Sequence, residues 1–232
     1  DQLWLDGGQV QKHQGLDIRI EEIIEEARKI QPGLIAVDRA TGTESENIVT
    51  PEQTVPPVPM MVPWESCITM GTGFSYRYDD TFKSERELIH LLIDVVAKGG
   101  NLALNVGPMP DGRLPRPAVD RMEAMGRWLE MNGEAIYGTR AVEPFALKKW
   151  RFTRAKDGRV FAVRLWDEAE NPRVSLLLNL DPAQGDVAKV THLGLEVVAD
   201  RDVHGTGLAA SRCRIDLACV DVVVHFLLVT LL

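Results

Sequence analysis

The chain has 232 residues, 45% hydrophobic and 26% charged, which is ordinary globular composition with room for one large domain or two small ones. A net charge of −8 with scattered basic residues excludes a phosphate-binding face, so no nucleic-acid partner is expected. Cys67, Cys213 and Cys219 form neither a disulfide framework nor a metal set, and the five histidines lack ligand spacing.

The first element is "LWLDGG", an apolar strand that stops at Asp6, with Gly7-Gly8 leaving room for a ligand to approach the backbone. Next, Leu16, Ile20, Ile23, Ile24, Ala27 and Ile30 fall on one helical face among glutamates, and Pro32-Gly33 stop that helix. "LIAVDR" is a strand, and a Pro-rich loop follows with Pro51, Pro56, Pro57, Pro59 and Pro63 inside thirteen residues. "PWESCITM" is a third strand. The spacing predicts a helix from Ser84 to Lys98, opened by a Ser84/Glu87 capping box and closed by Gly99-Gly100. "NLALNVGP" is a strand and "PAVDRMEAMGRWLEMNG" a helix. This alternation implies a parallel sheet flanked by helices up to about residue 140.

Beyond Arg140 the pattern is strands only. "KKWRFTRAKDGRVFAVRLW" reads as a hairpin turning on Asp157-Gly158, and "RVSLLLNL", "LEVVA" and "VDVVVHFLLV" continue the β pattern. The apolar tail from Leu217 contains Asp221 and His225 and is too short for a membrane span, so no membrane association is expected. No signal peptide is visible at the start of the chain.

In parallel barrels and open α/β sheets, reactive groups sit just beyond the carboxyl ends of strands. Asp6, Arg39 and Asn105 lie at or near such ends, and Glu65 lies close to a strand. Paired carboxylates without a metal signature fit glycoside hydrolysis. A strand-end aspartate is also a common helix cap or salt-bridge partner, and the residues alone leave both readings open.

The wording "LWLDGG", "AVDR", "TPEQ", "PWESCITM", "FSYRY", "GGNLALNVGPMPDGRLP" and "NGEAIYGTR" resembles, in this order, the retaining α-L-fucosidases from Leu3 to Arg140. The resemblance implies the C-terminal half of a (β/α)8-like, TIM-type barrel over residues 1–140 and an all-β sandwich over 141–232. It implies hydrolysis of terminal α-L-fucose from fucosylated oligosaccharides or glycosides, with no metal and no organic cofactor. Family members are often periplasmic, secreted or lysosomal.

Carried onto this chain, the resemblance makes Asp6 the nucleophile and Arg39 the arginine beside the sugar. Tyr76 matches an aromatic at the wall that accepts the fucose methyl group. Trp4, Trp64 and Phe74 offer further aromatic faces, although isolated aromatics are more often core. The acid/base is Glu65 of "PWES" or, ranked second, Glu52 of "TPEQ", with Glu44 and Glu46 as outsiders. Glu65 is ranked first because Trp64 and the apolar strand after it give a desolvating context. Asn105 and Asp111 are expected to hold the "NVGPMPDG" turn, and Cys67 to be a packed thiol.

The family's earlier strands, with their sugar-binding histidines and tryptophan, have no counterpart before Asp1. A half barrel leaves open strand edges and a bare apolar face, so a homo-oligomer or an N-terminal barrel fragment is the expected partner. An inactive carbohydrate-binding relic or a structural, oligomerising fragment is the alternative reading.

Overall fold

The computed structural model describes residues 1–6, 15–39 and 42–167, and beyond them the backbone of five short strands. Two compact units divide the chain, Asp1–Met125 and Gly126–Leu232, with the division inside a helix.

In the first unit, β1 (Gln2–Leu5) pairs in parallel with β2 (Ile35–Asp38), Trp4 opposite Val37 and Leu5 opposite Asp38. The side chains alternate: Leu5 packs with Ile20, Ile24 and Ala36, so Trp4 and Asp6 leave the strand on the other face. The helix between the strands, α1 (Ile20–Ile30), is shorter than its apolar pattern suggested. Leu16 precedes it, and Ile23 and Ile30 are exposed. Only Ile20 and Ile24 reach the sheet, because β1 and β2 offer a narrow apolar strip.

A second parallel pair joins β3 (Glu65–Thr69) to β4 (Asn101–Asn105), Glu65 opposite Asn101 and Thr69 opposite Asn105. Between them α2 (Glu85–Ala97) opens on the expected capping box. The Ser84 hydroxyl accepts from the Glu87 N–H, and Glu87 accepts from the Ser84 N–H at 2.7 Å. Such a cap contributes about 1 kcal/mol. Leu88 of α2 and Ala118 of α3 (Arg116–Asn132) bury Met70, with Leu104, Val106 and Phe82 around them.

The Pro-rich stretch is not simply a loop. Residues 49–53 run parallel beside β3: Val49 donates to Pro63, Glu65 to Val49, Cys67 to Pro51 and Gln53 to Cys67, at 2.9–3.1 Å. Just upstream, Asn47 is tied to β2 by its N–H on the Ala36 carbonyl and its Oδ1 on the Ala36 N–H. The order β1, β2, residues 47–53, β3, β4 is therefore sequential.

The second unit's described residues are almost all strand after α3 and a short 3-10 turn at Gly133–Ala135. β5 (Arg140–Leu147), β6 (Trp150–Arg154) and β7 (Val160–Arg164) form an antiparallel sheet. The β6–β7 turn closes on Gly158 at φ +91°, with Asp157 bonded to the Arg159 N–H and guanidinium, as the Asp-Gly pattern predicted. Then β8 (Leu176–Asn179), β9 (Lys189–His192) and β10 (Leu195–Val197) form one antiparallel sheet, and β11 (Arg212–Leu217) and β12 (Val220–His225) another. No described helix is long and apolar enough to cross a membrane.

Candidate active site

Asp6 is the first residue past β1, and Arg39 the first past β2. Parallel pairing sets these two ends side by side, and the Arg39 N–H donates to the Leu5 carbonyl at 3.0 Å. The Arg39 guanidinium is the hub of the site. Its Nε lies 3.5 Å from Asp6 Oδ1, its Nη2 pairs with Glu52 Oε2, and its Nη1 donates to Cys67 Sγ at 3.4 Å. The same group lies over the Trp4 ring, 5.6 Å from the centroid.

Charge and burial compete at this arginine. Burial disfavours its charged form, but the hydrogen bond to Glu52 and the charges of Asp6 and Glu52 outweigh it, so its pKa lies above the ordinary guanidinium value. Beneath it, burial pushes the Cys67 thiol up against the opposing pull of Arg39. Cys67 is a buried free thiol, as expected, but it also forms the floor under the guanidinium.

The two glutamates are separated by their places along β3. Glu52 is the parallel-bridge partner of Cys67, in the middle of the strand. Glu65 opens β3 at its amino end, two residues or about 6.6 Å before Cys67. The structure brings Glu52, not Glu65, onto the Arg39 guanidinium that also reaches Asp6. Glu65 is half-buried, at the end of the strand opposite to the Asp6 and Arg39 ends.

Trp64 is a core residue, 1% exposed, with its ring against Gly100. A Cβ at Gly100 would stand 2.4 Å from that ring, so the glycine is what admits the indole. Trp4 is 38% exposed and keeps a face available. Tyr76 is half-buried in the loop after β3, and its backbone crosses Gly107 so closely that a Cβ there would lie 2.4 Å from the Tyr76 nitrogen. Asp80 pins the base of this loop through the Thr72 N–H and hydroxyl, which hold its carboxyl below the usual range. Phe74 is exposed on the same loop.

Asp111 holds its turn as expected, accepting from the Arg113 N–H and guanidinium. Asn105 is tied to the β3 side instead: its carbonyl accepts from the Met70 N–H, and its buried Oδ1 has no partner. Glu44 is exposed in the loop after β2. Gly7 and Gly8 lie outside the described residues. Among the described residues no group of three or more His, Cys, Asp and Glu side chains could hold a metal ion. Gln53, which the sequence did not single out, stands beside Glu52 with a left-handed backbone, φ +52°.

Residues 1–134, which carry this whole constellation, match the α-L-fucosidase family model. The chain belongs to the α-L-fucosidase family. It is 36% identical over 140 residues to the α-L-fucosidase of Dictyostelium discoideum, covering 57% of this chain and 29% of that protein. Against the tissue α-L-fucosidase of Homo sapiens it is 33% identical over 149 residues, covering 57% and 29%. The fold is similar to that of α-L-fucosidase isoenzyme 1 from Paenibacillus thiaminolyticus, with TM-score 0.70 and 26% identity over 86% of this chain and 50% of that one. A Thermotoga maritima α-fucosidase solved with a mechanism-based inhibitor gives TM-score 0.61 and 30% identity, over 78% and 42%. The chain thus spans under a third of these two curated relatives and half or less of these two structures.

Proposed function

We propose that this chain supplies the nucleophile and the acid/base of a retaining exo-α-L-fucosidase acting on fucosylated oligosaccharides or glycosides. One observation carries the reading: a single arginine joins two carboxylates at the carboxyl-end face of parallel strands, within the residues matched to the fucosidase family. The reported complexes of Thermotoga maritima α-fucosidase with fucose and with a mechanism-based inhibitor support carrying the substrate class over.

Asp6 attacks the anomeric carbon as a carboxylate, and the bond to the leaving oxygen breaks as Glu52 gives that oxygen its proton. Water then attacks the fucosyl–Asp6 ester, and Glu52 takes the water's proton. Arg39 pairs with the Asp6 carboxylate before the attack and again once the ester is hydrolysed. Trp4 and Tyr76 offer apolar surface to the sugar, and Trp64 holds the frame.

The sequential order of β1, β2, residues 47–53, β3 and β4, with α1 joining β1 to β2 and α2 joining β3 to β4, supports the reading of this part as a portion of a (β/α) barrel. The rest of that barrel would come from an N-terminal portion of the protein or from a partner, and the strands after residue 140 would form the sandwich.

Replacing the nucleophile tests the reading. In the completed enzyme Asp6→Ala should abolish turnover, and azide should restore part of it by taking the carboxylate's place. A variant that kept more than about a hundredth of the wild-type rate would overturn the assignment, since losing the nucleophile costs far more than that.

A further inference from the structure

Glu52 stands on an exposed segment with little around it, yet both of its carboxylate oxygens are held. Arg39 takes Oε2, and the Gln53 side-chain amide donates to Oε1 at 3.4 Å. The other end of that amide is anchored: Gln53 Oε1 accepts from the Thr69 N–H at 3.2 Å and from the Thr69 hydroxyl at 3.1 Å. Thr69 is fixed in turn, 4% exposed at the carboxyl end of β3, and its hydroxyl, with one proton to give, is shared between Gln53 Oε1 and the Gly71 carbonyl at 2.9 Å. The backbone of Gln53 adds a bond to the Cys67 carbonyl at 2.9 Å, and the Ser66 hydroxyl holds the Thr54 carbonyl at 2.7 Å on the strand's other face.

This staple has a conformational cost. Gln53 has φ +52°, a region L side chains adopt rarely and glycine readily. Local strain of this kind persists where the surroundings impose it and collects at functional sites. A glycine would relieve it, but a glycine carries no amide to place between Thr69 and Glu52.

We infer that Gln53 is a positioning residue for the acid/base. It ties the Glu52 carboxylate to the rigid end of β3, so that the proton is delivered along one direction. The inference rests on Glu52 being the acid/base. The role belongs to the side chain, while the strain belongs to the backbone, and the two can be separated.

The separating variant is Gln53→Gly, with Thr69→Val as a second that removes only the hydroxyl donor. In the full-length enzyme, Gln53→Gly should leave the melting temperature unchanged or raised and KM within about twofold. On a fucosyl disaccharide kcat should fall about tenfold, a fraction of what general acid catalysis contributes. On an aryl fucoside, whose leaving group needs little protonation, the loss should stay within about threefold. Thr69→Val should show the same pattern more weakly. Equal losses on both substrates, or losses that track a lowered melting temperature, would overturn the inference.

A readout independent of activity accompanies it. In the 15N-labelled chain, the Gln53 side-chain amide resonances should move in Glu52→Gln and move less in Thr69→Val, where the backbone N–H of residue 69 still donates to Gln53 Oε1. Resonances that ignore both substitutions would sink the contact itself. Should the amide respond while Glu52→Ala shows no leaving-group selectivity, the acid/base reading fails rather than the staple, and Gln53 then has no proton transfer to direct.

Discussion

Glu52 is the bridge partner of Cys67 at the middle of β3, and from there its carboxylate reaches the guanidinium of Arg39. Sequence context ranks Glu65 first, whereas it is Glu52 that the structure places on the guanidinium. Glu65, the more apolar by context, opens the strand at its amino end, while Glu52 lies two residues further along, beside Cys67.

The consequence is a difference in leaving-group dependence. Glu52→Ala should lose two or more orders of magnitude on a natural disaccharide and far less on an aryl fucoside, because general acid catalysis contributes about 10²–10⁴-fold where the leaving group is poor. Glu65→Ala should slow both substrates alike, if at all. Steady-state kinetics on the two substrates decides it; selectivity in Glu65→Ala alone would return the acid/base role to Glu65.

Gly100 and Trp64 set a structural test away from the chemistry. An alanine at 100 puts its Cβ 2.4 Å from the indole of Trp64, which is 1% exposed, so ring or backbone must shift. Gly100→Ala should cost at least about 1–3 kcal/mol, as overpacked cores do. Urea unfolding measures this directly, and an unchanged midpoint would mean that the ring moves freely.

Acid stability should depend in part on the α2 cap. The Ser84 N–H and hydroxyl hold the Glu87 carboxyl below the ordinary glutamate value. A depressed folded pKa adds stability above the unfolded value, about 4.3, and that stability is lost as pH falls through the folded one. In Glu87→Gln this part of the pH dependence should vanish, so wild type and variant should converge as pH drops from about 5 to 3. The screened, exposed site keeps the effect small. Parallel curves across that range would count against the cap.

The chain alone should associate. Among the described residues β1 pairs only with β2, so its other edge presents unpaired backbone groups, and Trp4 and Ile35 are 38% and 40% exposed. Sedimentation at micromolar concentration should show dimers or larger species, or complete binding to an added N-terminal barrel fragment. A monodisperse 25.8 kDa monomer that hydrolyses an aryl fucoside would refute this.

Local chemistry made much of the molecule readable in advance. Asp6 and Arg39 end apolar runs, so their positions follow from side-chain alternation and parallel pairing. The Ser84/Glu87 cap and the Asp157-Gly158 turn rest on contacts a few residues apart, which sequence spacing encodes. The Glu52 segment was different. Five prolines read as loop, yet the N–H groups of Val49 and Gln53 find carbonyls on or beside β3, fourteen residues away in each case. Trp64 read as one more available aromatic face because the Gly100 that admits its ring comes 36 residues later. Hydrogen bonds between distant strands and the space left by a distant glycine carry no mark in a linear pattern. The sequence by itself determined which chemistry could occur at the ends of β1 and β2; only the parallel pairing along β3 decided which glutamate faces it.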